Sequence, residues 1–350
     1  MNGYINKNVQ ELHNKFNIVD AHFDMLGEVL RKRKAGYNKV IEREFIPDFI
    51  KGGVNIVVAS LFIESEYIPE MAMKNALDQI GSLYEEIEES KDKFILCKNY
   101  EDINRAIKLN KLGIILSFEG VEPIGNDLKL LRVFYELGVR IVGLTWSRRN
   151  YAADGCHFHE VQEGRKGGLT DFGVSLINEA ERLGMFIDVS HLNDEGFFDV
   201  MKISKKSVIA SHSNSRTIVN HARNLTDEQI VAIAKTGGVI GMNAYSDFVS
   251  RKDTEKNVEG IVKHIIHIRD LVGIEHIGLG FDFCDKFTSS NPSYLGGQSK
   301  TKGFDVINGH KDIDKLTQVL LDRGFTDKEL QLILGENFLR VYRGNLDIKR

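Results

Sequence analysis

His22 and Asp24, in the run DAHFD, are separated by a single residue. On an extended strand such positions aim to the same side. An imidazole nitrogen beside a carboxylate oxygen suits a borderline ion such as zinc. Three more residues of the same chemistry stand at the ends of apolar runs: Glu119 after GIILSF, His191 at the end of MFIDVSH and His212 at the end of SVIASHS. A carboxylate there is costly unless a cation or hydrogen bonds compensate it. One histidine at such a border is ordinarily a satisfied core residue. Two on successive runs, joined by an HxD pair and a glutamate, read together as a metal site. Five ligands exceed the needs of one tetrahedral zinc with an open position and suit two ions, with a carboxylate and a hydroxide bridging them. Asp282, in GLGFDF, would lie beside that pair, placed to take a proton and pass it to a leaving amine. Arg223 could clamp a substrate carboxylate with its guanidinium fork, although its sequence context alone reads as a surface charge.

For these residues to meet, the chain must bring the ends of its apolar runs to one place. Eight strands are expected, at 18–24, 54–63, 113–120, 140–146, 185–191, 207–213, 237–244 and 276–283. VNIVVASLFI is nearly continuous and β-branched, as a strand buried on both faces should be. Amphipathic stretches alternate with the strands, at 69–90, 100–110, 126–137, 171–183, 193–203, 225–236, 257–272 and 311–323. Thr226-Asp-Glu-Gln229 and Thr326-Asp-Lys-Glu329 read as capping boxes. Gly138, Gly184, Gly273 and Gly324 suit left-handed helix ends. Eight strand–helix units favour a single (β/α)8 barrel over residues 1–350, with the strand C-termini and the chemistry on one face. No dinucleotide-binding glycine fingerprint follows the first strand. The segments 147–169 and 284–310 are too long and polar for simple connections; they read as pocket walls, a lid or a subunit contact, which leaves a homodimer open.

Composition narrows the function. With 350 residues, a hydrophobic fraction of 42% and a net charge of -4, the chain fits a soluble globular protein with a sizeable core. It offers no basic surface to attract nucleic acid. The N-terminal stretch has no apolar signal core, and no stretch is apolar enough to cross a membrane. Cys97, Cys156 and Cys284 are far apart and form no CxxC pair, which favours a reducing, cytoplasmic setting.

Together the motifs DAHFDM (20–25), SFEG (117–120), DVSHL (188–192), SHSN (211–214), HARN (221–224), GLGFD (278–282) and GENFLRVY (335–342) resemble those of the membrane (renal-type) dipeptidase family, in the family's order and across almost the whole chain. The resemblance implies a (β/α)8 barrel with two zinc ions, His22 and Asp24 on one, His191 and His212 on the other, and Glu119 bridging. It further implies that Arg223 holds the substrate carboxylate, that Asp282 handles protons, and that the substrates are dipeptides, with some tolerance of a D-residue at the C-terminal position. Two departures stand out. Where animal members have a histidine that touches substrate, this chain has Trp146, an apolar wall of the substrate pocket; the loop residues His157 and His159 are the alternatives for the missing imidazole and read as bystanders. Where many relatives continue Phe-Asp-Gly after the aspartate, this chain has Phe283-Cys284-Asp285, with Cys284 expected to be a small buried residue.

The sequence therefore predicts a cytoplasmic zinc dipeptidase acting through a metal-bridging hydroxide on a small peptide substrate. Two alternatives remain: another amide hydrolase on the same scaffold, such as a deacylase of N-acyl amino acids, and a silent barrel acting as a binding protein.

Overall fold

The computed structural model describes residues 7–158, 161–162, 164–290 and 303–346. Its described strands are β1 (Ile18–Phe23), β2 (Val54–Phe62), β3 (Phe94–Leu96), β4 (Leu112–Glu119), β5 (Val139–Gly143), β6 (Phe186–Asp188), β7 (Ile240–Met242) and β8 (Ile277–Leu279). All their pairings are parallel, in the order β6-β5-β4-β2-β1-β8-β7. The segment 207–213 fills the place between β6 and β7. It forms no regular strand but makes single parallel bridges, Ile209 to Asp188 and Ala210 to Ile240. Those bridges close the ring, so the fold is a (β/α)8 barrel with its sixth stave reduced to a few hydrogen bonds.

Sequence reasoning missed β3. It pairs with the first half of β4, from Phe94↔Leu112 to Leu96↔Ile114, on the edge that β5 takes over from Leu116 onward. It is an added strand at the entry of β4 and not one of the eight staves.

Side-chain alternation divides the core in two. Ile56 and Val58 of β2, Ile115 of β4, Ile141 of β5 and Phe186 of β6 fill an inner cluster. Their neighbours Val57, Ile114, Leu116, Phe118 and Val142 face the outer cluster beneath the helices. The C-terminal helix Asn337–Leu346 sends Phe338, Leu339 and Tyr342 into the inner cluster. At the other end of the same inward rows the residues turn polar: Ser60 beyond Val58, and Ser117 and Glu119 beyond Ile115.

In β1 the pairing with β2 passes from Asp20↔Val57 to Phe23↔Ala59. Three steps along β1 face two along β2, so β1 carries one extra residue. Val19 and Ala21 belong to the inner cluster, and the extra residue lets His22 turn to the mouth of the ring as well, while Phe23 and Asp20 face the outer layer.

The helices follow the apolar periodicity closely. Ala72–Glu89, Asp171–Arg182, Asp194–Ile203 and Val258–Val272 lie within the expected stretches. Both capping boxes form, each with its Thr oxygen accepting from the backbone of the third helical residue and that residue's side chain accepting from the Thr backbone. Gly138, Gly184, Gly273 and Gly324 all have positive φ, the region that costs a side-chain-bearing residue most.

Candidate metal and catalytic site

At the C-terminal mouth of the ring His22, Asp24, Glu119, His191, His212 and Asp282 come together. His22 Nε2 lies 3.5 Å from Asp24 Oδ1, 3.6 Å from Glu119 Oε1 and 3.8 Å from Asp282 Oδ1. Glu119 Oε1 also lies 3.0 Å from His191 Nε2 and 3.7 Å from His212 Nε2. Glu119 is thus the one carboxylate within 4 Å of all three imidazoles. All five residues from His22 to His212 are buried.

The three Nε2 atoms and Glu119 Oε2 are buried without a hydrogen-bond partner. A buried polar atom without a partner costs about 1–3 kcal/mol, so four such atoms pointing at one another need a ligand. A cation satisfies them all, because nitrogen lone pairs and carboxylate oxygens are electron-pair donors to a metal. Two overlapping sets have the spacing to hold an ion: His22, Glu119 and His212, and His22, Asp24 and Asp282.

Supporting hydrogen bonds fix which nitrogen faces the centre. Ser211 Oγ hydrogen-bonds Asp188 Oδ2, and a carboxylate can only accept there. The hydroxyl proton is therefore spent on Asp188, and Ser211 Oγ, 2.7 Å from His212 Nδ1, must accept from an Nδ1–H. That leaves the Nε2 lone pair of His212 free and aimed inward. Asp188 is itself held by the backbone N–H groups of Ser190 (3.0 Å) and Ser211 (2.9 Å). His191 Nδ1 lies 2.8 Å from Ser147 Oγ, and Ser60 Oγ donates to Asp24 Oδ1. These serines and Asp188 were missed as site residues. A serine directly before His191 and before His212 was visible in the sequence; the pairing of His191 with the distant Ser147 and the Asp188 link were not.

The protonation tendencies of the cluster diverge. Burial, followed by the Arg223 and His22 charges, drives the His191 imidazole well below its ordinary pKa. Burial and then His22 and Arg223 do the same to His212. For His22 burial also opposes the charge, but Glu119 and Asp24 together outweigh it and raise the pKa well above the usual value. Burial, with Asp24 adding repulsion, lifts Glu119 well above the carboxylate range. Burial lifts Asp282 to about 6, with Asp24 pushing the same way and His22 opposing.

Asp282 sits where β8 runs out, at φ 57°, and His191 has φ 70°. Both are left-handed for residues with side chains, a conformation that costs free energy and clusters at functional sites. Asp282 Oδ2 accepts from Asn243 Nδ2 at 3.0 Å. The following segment is clasped by Asp305, which accepts from the backbone N–H groups of Cys284 (3.0 Å) and Asp285 (2.9 Å). Cys284 is buried, with Sγ 3.5 Å from Asp305 Oδ1.

Arg223 is 3% exposed, so its sequence reading as a surface charge fails. Its Nη2 donates to the His212 carbonyl at 3.1 Å, the guanidinium lies 5.6 Å from the Phe248 ring centre, and Nε is buried without a partner. Trp146 is also buried, 5.2 Å from Phe62, 5.4 Å from Phe158 and 6.1 Å from His191 between ring centres. It forms an aromatic wall beside the imidazoles. His157 lines a cavity of about 600 Å³ with Phe158, Lys166, Arg216 and Arg251. His159 lies outside the described residues, as does much of the segment 284–310.

Known proteins resemble this chain in sequence and fold. A family model described as membrane dipeptidase (peptidase family M19) matches residues 6–349. A curated protein of Claviceps purpurea, Dipeptidase tcpJ, is 28% identical over 311 residues, covering 85% of this chain and 68% of that protein. The crystal structure of the dipeptidase AC, a metallo peptidase of family M19, superposes with a TM-score of 0.81 at 25% identity, over 95% of this chain and 99% of the other. A metallo peptidase from Rhodobacter sphaeroides, solved with a phosphinate mimic of the dipeptide L-Ala-D-Ala, has the same fold, with a TM-score of 0.82 at 24% identity over 94% of this chain and 99% of its own.

Proposed function

This chain belongs to the membrane dipeptidase family, peptidase family M19, and on that premise we propose that it is a two-zinc dipeptidase. The observation that carries the reading is the convergence of three unpartnered Nε2 atoms on the single carboxylate of Glu119. His22 and Asp24 would hold one ion, His191 and His212 the other, and Glu119 would contribute to both. When bound, the ions supply Lewis acidity, activating a water and polarising the scissile carbonyl.

The chain's own residues account for the rest. Arg223 reads the substrate's terminal carboxylate: it is a buried fork with a donor left over, and a carboxylate accepts two parallel N–H bonds. A substrate gripped at its carboxylate a few ångströms from the reacting carbonyl must be short, which favours dipeptides over proteins. Asp282 moves the proton. Asn243 fixes one of its oxygens, leaving Oδ1 to face the cluster and to pass a proton to the departing amine. Trp146, with Phe62 and Phe158, walls the pocket and keeps bulk water from the reacting bond. Cys97, Cys156 and Cys284 are free thiols, in keeping with a reducing, cytoplasmic setting.

The test is a zinc-reconstituted assay of L-Ala-L-Ala, L-Ala-D-Ala, N-acetyl-Ala-Ala and the C-terminal amide of Ala-Ala, alongside metal analysis. Expected are about two zinc ions per chain, turnover of free dipeptides, and a loss on the order of 1.5–3 kcal/mol for Arg223→Ala, the scale of a hydrogen bond to a charged group. Equal turnover of the amide would remove Arg223 from its role. Preferred cleavage of the acetylated peptide would favour the deacylase reading.

A further inference from the structure

A cavity of about 170 Å³ opens beside the metal-ligand candidates, between the helix Met25–Lys34 and the segment that follows β2. Asp24 and Phe62 form its inner end. Its position is set by the order of staves. The cavity draws on residues after β1, β2 and β8, whereas Arg223 follows the stave at 207–213, between β6 and β7. The two lie on opposite sides of the ring. A dipeptide with its carboxylate on Arg223 and its peptide bond over the ligand cluster therefore sends its amino-terminal residue toward this cavity.

The lining is specific in kind. Leu30, Phe62 and Phe287 give apolar walls, and Gln79, Glu64 and Glu66 bring oxygen acceptors. Gln79 is 1% exposed and its Oε1 has no hydrogen-bond partner. Its amide orientation is settled by chemistry. Nε2 lies 2.8 Å from the Phe62 carbonyl oxygen, which can only accept, so the other terminal atom must be the oxygen. A buried acceptor that lines a cavity and lacks a donor calls for a donor from a ligand. The basic residues at the rim are already compensated: Arg31 is paired in two-pronged fashion with Glu28 at 2.8 and 2.6 Å, and Lys34 lies 3.8 Å from Asp78. The carboxylate of Glu66 is held by the Tyr67 hydroxyl. A volume of 170 Å³ corresponds to roughly five or six waters at about 30 Å³ each, the size of one unbranched side chain.

We propose that this cavity is the subsite for the side chain of the substrate's amino-terminal residue, and that it selects a long, cationic side chain such as lysine. The methylene stem would run along Leu30, Phe62 and Phe287, and the ammonium would donate to Gln79 Oε1 and face Glu64 and Glu66. The inference rests on the dipeptidase reading and adds the substrate class.

The experiment compares Lys-Ala with norleucine-Ala, which keeps the stem and lacks the ammonium, and with Glu-Ala, all on zinc-loaded enzyme. Wild type should favour Lys-Ala over norleucine-Ala by roughly tenfold or more in kcat/KM, the scale of one charged hydrogen bond, mainly through KM, with Glu-Ala the poorest. Gln79→Met and Glu64→Gln should each bring the Lys-to-norleucine ratio toward one. Glu64 is partly exposed, so Glu64→Gln keeps the test standing if the buried Gln79→Met does not fold. Turnover of all three peptides with a ratio of one or less in wild type would overturn the subsite and leave the dipeptidase reading in place. A high ratio that neither folded variant lowers would overturn the assignment to this cavity. No turnover of any dipeptide would overturn both readings.

Discussion

The two halves of the ligand cluster are built on different principles. His191 and His212 stand on neighbouring staves, are driven toward the neutral form by burial and nearby positive charge, and have Nδ1 held by Ser147 and Ser211. That half presents nitrogen lone pairs fixed in advance. Across the ring, His22 lies within 4 Å of Asp24, Glu119 and Asp282 and is driven toward the charged form. That half is an excess of buried negative charge that a proton relieves in part and divalent cations relieve fully. The contrast teaches that one site can recruit metal in two ways, by geometry on one side and by charge on the other.

Glu119 belongs to both halves, so its loss should have the largest effect. Glu119→Gln keeps the shape and removes the shared charge; metal content should fall at both positions and turnover should drop to background. Retention of one full equivalent of zinc in that variant would show that the two halves load independently.

Asp282→Asn probes the charged half without removing a residue common to both. It should keep its zinc and lose roughly 10²–10⁴-fold in turnover, the span of a general acid–base group. Zinc lost in step with activity would make Asp282 a ligand and would enlarge the charged half.

Ser211→Ala probes the preset half. Without Ser211 the tautomer of His212 is no longer fixed, and metal affinity should weaken by about 10–100-fold, the usual consequence of losing a ligand's supporting partner. Competition with a chelating dye reads this directly. An unchanged affinity would mean that burial alone orients His212, and the distinction drawn between the halves would weaken.

His264 lies in neither half and serves as the reference. It is fully buried, with Nδ1 accepting from the Ser215 backbone N–H at 3.1 Å and Nε2 3.0 Å from the Val249 carbonyl. Burial lowers its pKa to about 4. A histidine held neutral in the fold stabilises the protein above the unfolded pKa, near 6.5, and that stability is lost as pH falls from there toward 4. The loss should be on the order of 1–3 kcal/mol across that window. In urea titrations of metal-free protein, His264→Gln should show a shallower decline by about one proton. An identical decline would place the acid sensitivity in the ligand cluster.

Much of this was legible in the sequence, for identifiable reasons. Buried parallel staves are continuous apolar runs, so VNIVVASLF and LGIILSFE announce β2 and β4 without ambiguity, and their ends place Glu119. The segment 207–213 was read as a strand of the usual kind but makes only isolated bridges, because the backbone N–H groups of Ser211 and His212 go to the side chains of Asp188 and Ser190. FIL at 94–96 is too short to show a period. Arg223 was placed at the site only by the resemblance, because its neighbours in HARN say nothing of burial, and the packing against Phe248 is distant in sequence. Gln79 carried no signal at all: a glutamine on a helix is ordinary until a cavity is seen beside it.

Asp20 ties the first stave to the last. It is fully buried; one oxygen accepts from the Phe281 backbone N–H at 3.0 Å, and the other lies 2.6 Å from His310 Nε2. His310 in turn sits against the rings of Phe23, Phe49 and Phe283. Asp20, which also accepts from the His22 backbone N–H at 3.3 Å, is thus held by residues that the ribosome supplies some 260 to 290 positions later. Contacts of such sequence separation form late in folding. The nascent chain accordingly has no complete place for metal until its last stave and the turn at His310 have emerged, and truncation before that turn should leave a product that cannot be rescued by zinc. Loading of metal would then report that synthesis has passed the turn at His310.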